Sequence, residues 1–285
     1  MAEPWQIQLF RRSLKKKETM KALLDHLPPV EGRQCLELGC GTGLTSYFLR
    51  QRGGTWTSCD FEHDHVVSAR QLVRDRVVHI DEGSLPFASE SFDVVAAINF
   101  LEHIEDDDTF FAEMVRVLRP GGRIAVTVPR YGPEKVCWAL SDAYHEVEGG
   151  HIRIYRADEL LGRMREAGLR PYGTHHAHGL HSPYWWLKCA FGVERDGDDA
   201  ALPVRAYHRL LVWDIMKKPL ATRLAEKALD PLIGKSFVAY ATKPHLPEGI
   251  SPGDGDGDRA EPAGAAAGSG TAAGSGTAGA AQGEA

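Results

Sequence analysis

No stretch of about eighteen apolar residues occurs in this 285-residue chain, so nothing in it reads as a membrane-spanning helix. The opening MAEPWQIQLFRRSLKKK has basic residues but no apolar core behind them, unlike a secretory signal. The five cysteines, Cys35, Cys40, Cys59, Cys137 and Cys189, include no C-x-x-C pair. That argues against a zinc knuckle or disulfide framework and fits a reduced, cytoplasmic setting. A basic excess is missing as well. Of the formal charge of −6, −5 falls from His245 onward, where six acids stand against one arginine. The remainder is nearly neutral, which speaks against a nucleic-acid partner. The segment 245–285 is rich in Gly, Ala, Ser and Thr, has little to bury, and is expected to be a disordered tail.

What is present concentrates between Cys35 and Thr45, in CLELGCGTGLT. An apolar run ends in three alternate glycines, Gly39, Gly41 and Gly43, and a helical pattern follows through Tyr47, Phe48 and Leu49. Glycines in a strand-to-helix turn permit positive φ and bring backbone N–H groups close to a ligand. The third glycine of a dinucleotide fingerprint would fall at Leu44, so the spacing is G-x-G-x-G instead. Thr55–Cys59 alternates like a strand and leads to Asp60, seventeen residues past Gly43. Beta-alpha-beta folds place a ribose-binding acid at a similar offset. Further strands are expected at Gln34–Leu38, Val77–Ile80, Phe92–Ile98, Arg123–Val128, Leu169–His176 and Lys235–Thr242, with helices between them. That alternation predicts an α/β fold with a doubly wound sheet. Trp5–Leu27 reads as an amphipathic helix with a basic side, which ends before Pro28.

Glu37 with G-x-G-x-G, then Asp81-x-x-x-LPF, SFDVV, LEH and LRPGG, in that order, resemble the class I S-adenosylmethionine (SAM) dependent methyltransferases. Within that class they look like the small-molecule group that includes the ubiquinone-biosynthesis enzymes. The resemblance implies a Rossmann-like seven-stranded sheet whose last strand is antiparallel. It implies a cleft-covering helix over 1–30, a methyltransferase domain over 31–244, and a helical substrate-side insertion over 181–234. SAM would lie against Gly39, Cys40, Gly41 and Gly43, with Glu37 orienting its amino group. Asp60 would take the ribose hydroxyls with Phe61 beside it. Asp81 would hold the adenine amine, Glu82 would add a backbone N–H, and Asn99 would line the sulfonium.

Methyl transfer to oxygen also needs a base, and histidine titrates in the right range. Among thirteen histidines, His151 and His145 are the candidates, both in AYHEVEGGHIRIY. No metal is expected: relatives with a cation site carry E-x-x-E-H, whereas Asn99 opens N-F-L-E-H here. His175, His176, His178 and His181 are dense, yet strand alternation would divide them between two faces. In the insertion, Tyr184, Trp185, Trp186 and Trp213 stand near lysines, as at an apolar–polar boundary, and suit either a lid over a hydrophobic acceptor or the insertion's own core. The expected partner is a small-molecule or lipid acceptor, with peripheral membrane contact left open. Methylation of carbon or nitrogen, and SAM binding without turnover, remain alternatives.

Overall fold

In the computed structural model, the described residues are 29–81, 83–146, 151–195, 197–217 and 219–245. The expected N-terminal helix, Glu82 and the C-terminal tail beyond His245 lie outside them. Seven strands, β1 (Gln34–Leu38), β2 (Thr55–Asp60), β3 (Val77–His79), β4 (Phe92–Ile98), β5 (Leu118–Pro129), β6 (Arg170–Ala177) and β7 (Ser236–Thr242), form one sheet. Its order is β3-β2-β1-β4-β5-β7-β6. Strand β7 runs antiparallel to both of its neighbours, and the other pairings are parallel.

The central strands are apolar along their length because both faces are covered. On β4, Val95 and Ala97 join a core with Phe110, Met114, Leu160 and Met164, while Val94, Ala96 and Ile98 join another with Leu49 and Trp56. The helices that cover these faces include α1 (Leu44–Gln51), α2 (His63–Val73), α3 (Asp107–Val117), α4 (Tyr131–Leu140) and α5 (Ala157–Glu166). Asp106 caps α3 by accepting the Thr109 N–H at 3.0 Å, which satisfies one of the donors orphaned at a helix start.

Strand β5 begins at Leu118 rather than Arg123. Leu118 pairs with Phe92 and Arg123 with Val94, so the strand absorbs Arg119–Gly122 as a register irregularity, helped by Gly121 at φ +74°. The stretch between β6 and β7 contains the α-helices α6 (His181–Phe191), α7 (Leu202–Lys217) and α8 (Leu220–Ile233). His175 stacks on Tyr240 and His176 meets Phe237, whose positions on β7 fall on opposite faces, so the β6 histidines do divide. Among the described residues, no helix is long and apolar enough to cross a membrane.

Candidate active site

The C-terminal ends of β1, β2 and β4 and the start of β7 share one edge of the sheet, where open α/β folds bind ligands. The three glycines of the first turn serve different purposes. A Cβ on Gly39 would sit 3.0 Å from the Ile98 carbonyl oxygen, and one on Gly43 would lie 2.6 Å from Ala69 Cα in α2. At Gly41, φ +51°, nothing lies within 4 Å. The turn therefore closes against β4 and α2 and leaves open space at Gly41. The expected free N–H groups do not occur at Gly39, Cys40, Gly41 or Gly43. Gly39 and Cys40 both donate to the Cys59 carbonyl, Gly43 donates to Cys40, and Gly41 donates to Asp60 Oδ2 at 2.8 Å. The turn makes room through absent side chains, since its donors already brace it.

Asp60 is buried at the end of β2, and Oδ1 accepts from the Glu62 N–H and meets His65 Nδ1, each at 3.1 Å. With Gly41 that makes three partners for a carboxylate with about four acceptor positions. Two ribose hydroxyls fit only if half-exposed His65 yields its place. Glu37 lies beneath α1 with no exposed surface, accepting from the Ser46 hydroxyl at 2.6 Å through Oε2. Its Oε1 is buried without a close hydrogen bond, and burial raises its pKa against the opposing Ser46 and Ser58 hydroxyls. Asn99 follows β4 at φ +46°, with a buried Oδ1 that has no partner. Phe61 packs on Phe100 at 5.7 Å, Asp81 is exposed just after β3, and Cys40 is buried. Open space at Gly41 and orphaned oxygens on Glu37 and Asn99 fit a ligand carrying donors of its own.

Beyond β4 and β5 lies a second constellation. Glu134 of α4 has no exposed surface. Its Oε1 meets His151 Nδ1 at 2.7 Å and its Oε2 accepts from Lys235 Nζ at 2.6 Å. Lys235 also donates to the Tyr144 hydroxyl at 3.1 Å and stands 5.6 Å from the Trp185 ring centroid. Burial alone would raise the Glu134 carboxyl, but the His151 hydrogen bond and the Lys235 charge outweigh it and hold the pKa at about 2. Burial, with Glu134 nearby, keeps the Tyr144 phenol well above its ordinary range. Trp185 meets both Tyr144 and Tyr184, and Trp186 donates to the Pro133 carbonyl at 3.0 Å, which fastens α6 to α4. Trp213 is 47% exposed on α7.

His145 stacks flat on Trp138 at 4.5 Å, and its Nδ1 lies 3.3 Å from the Ser141 carbonyl oxygen, so it is engaged away from Glu134. Glu102, His103 and His151 offer atoms within 4.8 Å of one another, close enough to share a cation despite Asn99 in the preceding position. Sequence reasoning missed Glu134, Tyr144 and Lys235. Glu134 and Lys235 are 101 positions apart, and the lone signal was a lysine opening the apolar strand KSFVAYAT.

Residues 36–126 match the family model described as a methyltransferase domain. The 27-O-demethylrifamycin SV methyltransferase of Amycolatopsis mediterranei (strain S699) is 31% identical over 56% of this chain and 62% of its own length. The ubiquinone biosynthesis O-methyltransferase of Stutzerimonas stutzeri (strain A1501) is 27% identical over 51% of this chain and 68% of its own. The chain thus spans less than two thirds of the first of these relatives. A solved structure of geranyl diphosphate methyltransferase in complex with SAM superposes with a TM-score of 0.53 at 18% identity, covering 79% of this chain and 84% of that one. Residues 36–126 thus form a methyltransferase domain, and the chain shares the fold of that SAM-bound enzyme.

Proposed function

We propose that the protein methylates an oxygen of a small, largely apolar acceptor, with His151 as the base and Glu134 as the residue that positions it. SAM supplies a methyl carbon already activated by its sulfonium. The chain's own task is then to hold the acceptor in line and take its proton. Asp60, Asp81, Asn99 and the open side of Gly41 would hold the cofactor, with Glu37 reaching it through Oε1. Glu82 stays part of this assignment by its place in the sequence alone.

The observation that carries the reading is the buried Glu134 bridging His151 and Lys235. An ionised carboxylate on Nδ1 selects the tautomer with its proton on that atom and leaves Nε2 as the acceptor. Tyr144 and Trp185 supply an aromatic wall next to it. The same geometry favours His151 over His145. The first compared relative is named for a small-molecule acceptor, 27-O-demethylrifamycin SV, and the second for O-methylation in ubiquinone biosynthesis. Peripheral membrane contact belongs to this reading, because an apolar acceptor partitions into lipid.

SAM labelled on its methyl group, incubated with the protein and an extract of the cells that make it, provides the test. Label in the organic phase is expected. Label in protein or nucleic acid would overturn the small-molecule reading, and a methylated carbon or nitrogen in the isolated product would overturn the assignment to oxygen. Transfer is expected to survive a chelator; its loss, with recovery on adding a divalent ion, would assign Glu102, His103 and His151 to a metal instead.

A further inference from the structure

Helix α8 carries its apolar stripe on the outside. None of its residues is buried. Leu220, Leu224 and Leu232 are 69%, 59% and 71% exposed. Their spacing of four and eight residues sets them along one side of the helix over about 18 Å. The side turned to the protein includes Leu229 and Asp230. A Cβ on Gly179 would meet both, and Asp230 Oδ1 accepts the Gly179 N–H at 2.8 Å. A surface helix ordinarily does the reverse, with leucines inward and acids in water.

Helix α7 repeats the pattern. Val204, Leu211 and Asp214 are buried, while Leu202, Leu210 and Trp213 are exposed. Charge is sorted as well. Among the described Asp, Glu, Lys and Arg side chains of these two helices, the exposed ones are Arg209, Lys217, Arg223 and Lys227, all cations. The acids are withdrawn: Asp214 is buried, and Glu226 and Asp230 are half-buried. In a body that is nearly neutral outside the segment 245–285, such sorting does not follow from average composition.

We infer that the outer faces of α7 and α8 dock on an anionic phospholipid surface. Leucines and a tryptophan with lysines and arginines beside them, and no exposed acid, match the chemistry of an interface whose interior is apolar and whose headgroups are negative. The three leucines of α8 would enter the acyl boundary, with Arg223 and Lys227 at headgroup level. The Arg130 guanidinium donates to the Asp230 and Pro231 carbonyls, so the end of α8 is tied to the loop that follows β5. Lys235 of the Glu134 cluster follows two residues after α8. A bilayer under α8 would thus lie close along the chain to the acceptor side, which deepens the reading of an apolar acceptor. The docking surface itself rests on α7 and α8 and stands or falls apart from methyl transfer.

The test is co-sedimentation of the full chain with vesicles of phosphatidylcholine, alone or with about one-third phosphatidylglycerol. Binding is expected to the anionic vesicles and to weaken as salt rises. Leu220→Ser, Leu224→Ser and Leu232→Ser combined are expected to lower the partition coefficient on the order of tenfold or more. Arg223→Glu with Lys227→Glu is expected to lower it too and to flatten its salt dependence. Melting temperature and SAM affinity should be unchanged in both variants, since the five side chains are exposed. Absence of binding to anionic vesicles would overturn the inference. So would binding that the leucine variant leaves intact, which would assign it to another segment. A dimer that the leucine variant converts to monomer, without lipid binding, would overturn it in favour of a second copy of this chain.

Discussion

Gly41 and Gly43 stand two positions apart and should fail in different ways. Alanine at Gly43 puts a Cβ 2.6 Å from Ala69 Cα at φ +84°, so it meets both backbone strain and overpacking. A loss of about 2–4 kcal/mol in folding free energy is expected, measured by denaturant titration. Alanine at Gly41 meets nothing within 4 Å and carries only the strain of φ +51°, about 1 kcal/mol. Its methyl group would enter the open space assigned to SAM, so affinity should fall while the fold persists. Equal stability losses with unchanged SAM affinity in Gly41→Ala would contradict that assignment. Glu134 makes a pH-dependent contribution. Its folded pKa of about 2 lies below the ordinary 4.5, so the stabilisation is complete above about pH 4.5 and disappears as pH falls towards 2. Its full size is on the order of 3 kcal/mol. The stability gap between the parent and Glu134→Gln should therefore be wide at pH 6 (about neutral for this purpose) and narrow steadily below about pH 4.5. A gap that is constant with pH would show that the carboxylate is not held ionised by His151 and Lys235.

Among the elements, α6 joins the insertion to the domain. Trp186 is bound through its indole N–H to α4, whereas Trp185 faces Tyr144 and Lys235. Trp185→Leu is expected to raise KM for the acceptor about tenfold or more with SAM affinity unchanged, as loss of an aromatic wall would. Trp186→Phe removes the bond to Pro133 and should lower stability by about 1 kcal/mol. A changed SAM affinity in Trp185→Leu, or an unchanged acceptor KM, would count against an acceptor wall. Strand β5 shows where local reading stops. Pro120, Gly121 and Gly122 are turn residues by local chemistry, and the pairing of Leu118 with Phe92, with backbone bonds between Gly121, Gly122 and Lys243, carries the strand through them. Helix α8 shows the same limit from the other side. The 3.6-residue period reveals its stripe, but not that the stripe faces outward.

For the molecule as a whole, the strands and turn proposed to hold SAM were legible in the sequence because their parts are local. A strand, a glycine turn and an acid at the next strand end recur within about twenty-five residues, and each leaves a trace in residue type and spacing. The antiparallel last strand, β7, followed from the resemblance rather than from periodicity. The Glu134 cluster, proposed as the acceptor side, was far less legible. His151 could be singled out for its residue type, but Glu134 looked like an ordinary helix acid and Lys235 like a strand border. What makes them a unit is burial and a separation of 101 positions, and neither is written in a window of sequence. The state of the glycine turn was hidden too, because which N–H groups remain free depends on Cys59 and Asp60 reaching back to it.

The central claim is that Glu134 and His151 act together on the proton of the acceptor. The most direct measurement compares methyl transfer from labelled SAM, at saturating SAM and acceptor, for the parent, His151→Ala, Glu134→Gln and the double variant. SAM affinity is measured alongside. Single losses on the order of a hundredfold, with SAM affinity within about twofold, are expected, and the double variant should fall little further. Transfer that is undiminished in His151→Ala, or losses that multiply in the double variant, would contradict the account.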